Sequence, residues 1–325
     1  MPIRFTSPSL GGHRQVFLQG GEWEAGVAYR HLAADDWFVG DEIVPEAAPG
    51  GQPNRFNVHT FDLSLTYGVS RRFSARLTVP VSAGTNSRIH PDGQRHETSA
   101  TGVGDVNLLG SYWLRDPLSS PRGNVALGVG VKAPTGRYDL EDGLGVPNDT
   151  ISFPVHQSLQ PGDGGWGLLL QAQAYQHLAG RLSGYLFGAY MLSPREKTDV
   201  LFSPSFAESF VSVPDVFHAR LGFAYAAWPE GGLSLSLGGR VDGIPVHDII
   251  GGDLGFRNPG YSLFLEPGLA LERGRGSFTV SVPVRLRGNF VRSANDLAGI
   301  PGPTPDAARG DLAAYLLYLG YAHRF

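Results

Sequence analysis

The residues best equipped for chemistry in this 325-residue chain are charged side chains spaced among small polar ones. Arg76 stands between Ser74 and Thr78, Asp105 precedes Asn107, and Lys132 follows Gly128 and Gly130. Arg220, Arg240, Asp242 and Glu266 share that setting, as do Arg30, Asp62 and the pair Arg285 and Arg287. A spacing of two places side chains on one face of an extended strand. Charges of both signs on such a face can pair with one another, or they can line a constriction that selects solutes. Pairing is the expected role for most of them, because a narrow polar interior must satisfy its own groups. Arg285 and Arg287, facing Glu266 on the neighbouring strand, form the expected constriction.

Other chemistries find less support. His156 and Ser158 lie two apart, but nucleophilic catalysis also needs a third group to orient the base, and no Asn follows within that strand and loop. The ten His are scattered, with no i, i+4 pair on a helix, and Cys is absent, so neither a metal site nor a cofactor is expected. His59, His90, His96 and His218 read as ordinary polar residues. Glu141-Asp142-Gly143 lacks the spaced acids of a calcium loop. Pro161 to Gly165 reads as a turn, since it lacks the Lys-Ser/Thr ending of a phosphate loop. A net charge of −4 without a Lys/Arg cluster argues against nucleic acid as a partner.

The elements that must position these charges are strands. Phe61, Leu63, Leu65 and Tyr67 alternate with Thr60, Asp62, Ser64 and Thr66, and Val125, Leu127, Val129 and Val131 alternate with Asn124, Gly128, Gly130 and Lys132. The first candidate strand is Glu22 to Leu32, and the last is Gly310 to Phe325. In the last, Ala313, Tyr315, Leu317, Leu319, Tyr321, His323 and Phe325 share a face and the chain closes on an aromatic residue. Long polar stretches (33–55, 84–101, 134–165, 194–212, 243–260, 292–309) alternate with short turns (70–72, 116–123, 178–181, 229–231, 273–276). No run of 18 apolar residues exists to make a helical span. A mean hydropathy of −0.11 suits a barrel whose lipid-facing and lumen-facing residues average out.

The expected fold is therefore all-β: a transmembrane antiparallel up-and-down β-barrel of about 12 strands, with short periplasmic turns and long extracellular loops. It forms one domain over residues 1–325, with residues 1–20 as an N-terminal periplasmic segment. A soluble sandwich would favour strands of about 5–6 residues over the roughly ten read here. Met1 to Leu18 lacks the basic and apolar regions of a signal peptide, so a bacterial outer-membrane location takes that signal to have been removed. Twelve strands lie between the side-chain-filled barrel of about eight and the open channel of about sixteen. An inward-folded loop could close such a lumen. The stretch from Gly243 to Tyr261 is the candidate plug, with Ile249, Ile250, Leu254 and Phe256 in an otherwise wet segment. Trp37, Phe38, Phe202, Phe206 and Phe210 read as exposed-loop aromatics, able to meet a partner or the lipid interface.

The segments GVGDVNLLGSYWL (Gly102 to Leu114), GNVALGVGVKAPTGRYD (Gly123 to Asp139), LQPGDGGWG (Leu159 to Gly167) and the ending LLYLGYAHRF resemble the phenol meta-pathway degradation-like family of outer-membrane proteins. The resemblance implies an outer-membrane barrel acting as a transporter or channel, sometimes associated with aromatic-compound catabolism. The expected function is passive passage of small solutes, apolar or aromatic ones among them, without enzymatic activity. The alternatives are a structural or adhesive barrel acting through its loops and, less favoured, an outer-membrane lipid hydrolase. Expected partners are membrane lipid, lipopolysaccharide and a small-molecule solute, with the oligomeric state left open.

Overall fold

The computed structural model describes residues 17–90, 92–143, 152–202, 209–300 and 308–325. Twelve antiparallel strands each pair with their sequence neighbours, and the last pairs with the first, so the sheet closes on itself. They are β1 (Trp23–Val39), β2 (Arg55–Gly68), β3 (Phe73–Ile89), β4 (Arg95–Val103 and Val106–Trp113) and β5 (Gly123–Ala133). Then follow β6 (Gly167–Ala179), β7 (Leu182–Leu192), β8 (Val216–Trp228), β9 (Leu233–Ile244) and β10 (Gly260–Arg273). The last two are β11 (Gly276–Ser281 and Val284–Phe290) and β12 (Arg309–Arg324). The two interrupted strands keep their places, because both halves of β4 pair with β3 and both halves of β11 pair with β10.

Alternation decides which side is which. Phe61 and Leu63 are exposed while Asp62 and Thr60 between and beside them are buried, and Val125, Leu127, Val129 and Val131 are exposed while Ala126 and Lys132 are buried. A soluble protein does the reverse. An apolar outer face with a polar, filled interior is the pattern of a barrel in lipid, and closure leaves no unpaired strand edge in the hydrocarbon. Among the described residues no helix is long and apolar enough to cross a membrane.

The strands are taller than the sequence indicates. β1 continues past Leu32 to Val39, and the expected loop 84–101 is the top of a hairpin in which Ile89 pairs with Arg95. Trp37 and Phe38, read as exposed-loop aromatics, are buried residues of β1. At about 3.3 Å per residue and a tilt of about 40°, a 17-residue strand such as β3 rises roughly 43 Å, well beyond an apolar band of about 25 Å. Above that band nothing enforces apolar-out alternation, so the sequence signal fades while pairing continues.

Bulges re-aim several side chains in that upper region. In β12, Ala314 and Tyr315 both face outward, which turns Ala313 inward against expectation. In β11, Leu286 and Arg287 are both exposed, where the register against β10 shifts between Leu263 and Phe264. β11 and β12 share a single ladder pair in this half, Val284 with Tyr315. Side chains join the wall above it. Arg285 donates to the Ala313 carbonyl (2.9 Å), and its guanidinium lies 4.7 Å from the Phe38 ring.

The long loops add their own structure. Glu141–Gly143 pairs with Ser152–Pro154, and Lys197–Leu201 pairs with Phe210–Ser212. Phe256 bridges in parallel to Val211, so the loops 192–216 and 244–260 share one small sheet at the barrel mouth. A four-residue helix, Ala294–Leu297, is closed by a capping box between Ser293 and Asp296. At the short-turn end Phe17 is buried with Trp113 and Ala126, against Tyr175. Residues 1–16 of the expected N-terminal segment, and Phe206, lie outside the described residues.

Candidate functional site

The interior divides into a paired polar belt and an apolar chamber above it. On one side of the belt Arg30 reaches Asp62 through two nitrogens (2.6 and 3.1 Å). Arg240 donates to Asp242 (2.7 Å) and to the Tyr318 hydroxyl (2.6 Å), while Asp242 also takes the His218 ring nitrogen at 2.5 Å. Glu266 lies 3.6 Å from Arg220 and 4.0 Å from Arg240, and Arg76 donates to the Thr66 hydroxyl (3.0 Å). His218, read as an ordinary polar residue, thus belongs to the network. The signal was its place two residues before Arg220 on the same face.

Across the barrel a second node forms where β4 is interrupted. The buried Lys132 ammonium contacts both Asp105 (3.4 Å) and Asp163. Asp105 in turn accepts the Gly136 and Asp163 backbone N–H groups (3.0 and 3.1 Å). The close approach needs Gly162, where a Cβ would stand 2.3 Å from the Gly136 carbonyl oxygen. Asp163, read only as part of a turn, is therefore a partner of the lumen lysine.

Above the belt lies a cavity of about 170 Å³. Apolar side chains including Leu32, Phe56, Val58, Ile244, Phe264 and Leu316 supply most of its wall, while the charged residues Lys132, Asp163, Asp242, Arg257 and Asp311 also line it, the first three belonging to the belt beneath. A row of rings from four separate segments begins at its wall: Phe56 to His156 (4.9 Å), His156 to Phe202 (5.6 Å) and Phe202 stacked on Phe256 (3.8 Å), of which Phe56 and His156 line the cavity. The His156 imidazole is held neutral, its pKa lowered to about 3 by burial and then by the nearby Arg88 charge. Its Nδ1 accepts the Ser158 backbone N–H at 3.1 Å, so the His-x-Ser spacing serves a turn.

The cavity roof is formed by residues 193–202, 209–216 and 244–260, fastened by buried carboxylates. Asp248 takes Arg257 at both oxygens (2.8 Å each) and the Asp215 backbone N–H (3.0 Å). Asp215 accepts the Ser193 and Ile249 N–H groups (2.7 and 3.0 Å) and the Tyr190 hydroxyl (3.1 Å). Burial raises the Asp248 pKa, opposed by its bonds from Arg257 and Asp215. Of the candidate plug, Phe256 is buried in the ring row, but Ile249 and Ile250 are exposed at 68% and 43%.

The expected constriction does not assemble. Arg285 contacts Asp36, Arg287 meets Asp41 (2.8 Å) on the exposed side, and Glu266 belongs to the Arg220–Arg240 group. The bulge at Leu286 and Arg287 is the physical cause, since one extra residue moves Arg287 onto the face of Leu263. Arg287→Gln is accordingly expected to leave single-channel conductance and ion selectivity unchanged in a planar bilayer. Arg285→Gln, which loses charged hydrogen bonds, is expected to destabilise the barrel by about 1.5–3 kcal/mol in denaturant unfolding. A selectivity change with Arg287→Gln alone would put that side chain in the ion path after all.

Comparison with known proteins fits this architecture. Residues 57–175 match the family described as the MetA-pathway of phenol degradation. Over that stretch the family resemblance holds. Its matched region spans β2 to β6 and contains the whole Lys132 node. No curated protein matches the chain. Among solved structures, an outer membrane channel from Pseudomonas putida F1 aligns over 99% of this chain and 100% of its own, with a TM-score of 0.65 at 18% identity. The translocator domain of the autotransporter NalP from Neisseria meningitidis aligns over 96% of this chain and 91% of its own (TM-score 0.46, 12% identity). The P. putida toluene transporter TodX does so over 94% and 90% (TM-score 0.42, 12% identity). The first of these shows the fold: a closed twelve-strand barrel of outer-membrane type.

Proposed function

We propose that the protein is a channel of the bacterial outer membrane for passive passage of small apolar solutes, aromatic ones included. The observation that carries this reading is the apolar chamber at the long-loop end, set above a belt whose charges are largely taken up by one another. The charged groups that line the chamber are already engaged by protein partners, so a polar solute would give up hydration for groups that are taken, whereas an apolar one gains by leaving water. The outer membrane channel from Pseudomonas putida F1, whose barrel fold this chain shares, agrees with it. In this reading the exposed apolar band contacts membrane lipid, the tall hairpins stand among lipopolysaccharide, and the long loops face outward.

The test uses asymmetric vesicles with a lipopolysaccharide outer leaflet, which by itself slows apolar solutes. Vesicles carrying the refolded protein are expected to take up ethylbenzene several-fold faster than empty ones and not to swell in arabinose. Swelling in arabinose with unchanged ethylbenzene uptake would replace this reading with that of a hydrophilic porin.

A further inference from the structure

On the outer wall of β1 and β2 the lipid-facing row ends in a polar group. Going up β2, the exposed Leu65, Leu63 and Phe61 give way on the same face to His59 and then to the exposed Asn57 and Arg55. On β1 that face runs through Val27 and Tyr29 to His31, which is paired directly opposite His59. The two imidazoles lie nearly parallel (19°), their centroids 4.8 Å apart. Each has one nitrogen engaged, His59 Nδ1 with the Tyr29 hydroxyl (2.7 Å) and His31 Nε2 with Asn57 Oδ1 (2.8 Å). A phenol donating to His59 Nδ1 leaves the Nε2–H of that ring as a donor, and a protonated His31 offers its Nδ1–H as another. Among the described residues these second nitrogens and the Arg55 guanidinium have no partner. The flanking strands set uncharged residues against the group. Ala83, Thr85 and Ser87 of β3 stand opposite His59, Asn57 and Arg55, and Leu317 of β12 stands opposite His31. The next acid along β1 is Asp35, beyond His31 toward the loops.

Height identifies what meets these donors. Trp23 and Tyr67 pack ring to ring (4.6 Å) at the short-turn end of the same face, and His31 and His59 lie eight ladder pairs higher. At about 3.3 Å per residue and a tilt of about 40° that is a rise of roughly 20 Å, against an apolar band of about 25 Å. The imidazoles therefore stand at the upper edge of the band, with Asn57 and Arg55 just beyond it. In the outer leaflet that is headgroup level, and the headgroup of lipopolysaccharide is a phosphorylated sugar. Phosphate oxygens accept from imidazole and guanidinium N–H groups in charge-assisted bonds. An ammonium headgroup would be repelled by Arg55, and an uncharged sugar would leave that charge unpaired.

We propose that His59, His31 and Arg55 form a site on the outer wall for a phosphate group of lipopolysaccharide, with Tyr29 and Asn57 holding the two rings in place. The site rests on the outer-membrane placement in the reading above, with the long loops outward, and not on the solute that the chamber takes.

The experiment is titration of the refolded protein in detergent, followed by thermophoresis, with EDTA present so that no divalent cation bridges. The probes are phosphorylated lipid A, the same lipid A stripped of its phosphates, and inorganic phosphate. The unmodified protein is expected to bind the phosphorylated form about tenfold tighter than the stripped one. Combined His31→Gln and His59→Gln should lower that preference to about threefold or less. Arg55→Gln alone should lower it as well, and it tests the same point if the histidine variant fails to fold. Arg287→Gln, which removes another exposed arginine of the upper wall, should leave the preference intact. Equal affinity for the two forms of lipid A overturns the site, as does an unchanged preference in the folded histidine and Arg55 variants. Inorganic phosphate binding as tightly as phosphorylated lipid A would overturn the lipid headgroup as its occupant. Selective binding of phosphorylated lipid A without vesicle uptake of ethylbenzene would sink the channel reading and leave the site standing. Uptake of ethylbenzene without that selectivity would do the opposite.

Discussion

Lys132→Met is expected to destabilise the barrel by about 3–5 kcal/mol, the range for breaking a buried ion pair from one side. Lys132 is 1% exposed and sits between Asp105 and Asp163. Without the ammonium, two carboxylates would face each other in an interior of low polarisability. Neither can simply turn away. Asp105 holds the Gly136 and Asp163 N–H groups, and Asp163 Oδ1 accepts the Gly165 N–H at 3.0 Å. The node binds three separate segments, the interruption of β4, the end of β5 and the approach to β6, so its loss should be felt along the whole β4–β6 wall. The readout is the denaturant midpoint of the refolded protein, together with the gel-mobility difference between heated and unheated samples. Adding Asp163→Asn to Lys132→Met removes one of the stranded charges and should recover a substantial part of the loss. A double variant no more stable than Lys132→Met would mean that packing of the lysine stem, and not its charge, is what the node requires.

That node also shows what the sequence could and could not disclose. Its members sit in the very segments whose wording carries the family resemblance, and the alternation along β5 turns Lys132 inward without ambiguity. Its partner Asp163 was hidden because it lies in a turn, where no period assigns a face. The barrel itself was legible because lipid enforces apolar-out alternation over each crossing and because short turns alternate with long connections. Legibility failed above the apolar band, for a physical reason. Strands there continue on backbone pairing alone, so β1 and β3 outran their predicted ends. Bulges at Ala314–Tyr315 and Leu286–Arg287 then reversed the inward and outward assignments that a strict period of two supplies. Ala313 and Arg287 were misplaced by this alone, and Trp37 and Asp311 escaped notice as interior groups. The residues of the chamber are the least readable part of the sequence because they belong to this region.

Arg257→Ala should open the chamber. Arg257 and Asp248 have almost no exposed side-chain surface, and their two-point contact holds residues 248 to 257 as a compact turn. Asp248 and Asp215 together fasten that turn to the loop 192–216 through the Asp215 and Ile249 backbone N–H groups. Truncating the guanidinium strands the Asp248 carboxylate beside that of Asp215, at a cost of about 3–5 kcal/mol. The barrel wall does not depend on this contact, so the penalty should appear as roof opening and not as global unfolding. Amide exchange in 193–202 and 244–260 is expected to rise about 10²–10³-fold while the strands keep their protection. Single-channel conductance should increase in the same variant. The effect should also depend on pH with a definite sign. Burial already raises the Asp248 pKa, and Arg257 is the larger of the two bond donors that oppose this, the other being the Asp215 N–H. In the variant the raise stands with less opposition, so the penalty is full at neutral pH, where the carboxylate is ionised, and shrinks as acid protonates it. Acidification should therefore partly close the roof again. Loop exchange equally fast at pH 5 and pH 7 would show that the stranded charge is not what opens it, and exchange rising equally throughout the barrel would show that Arg257 supports the whole fold.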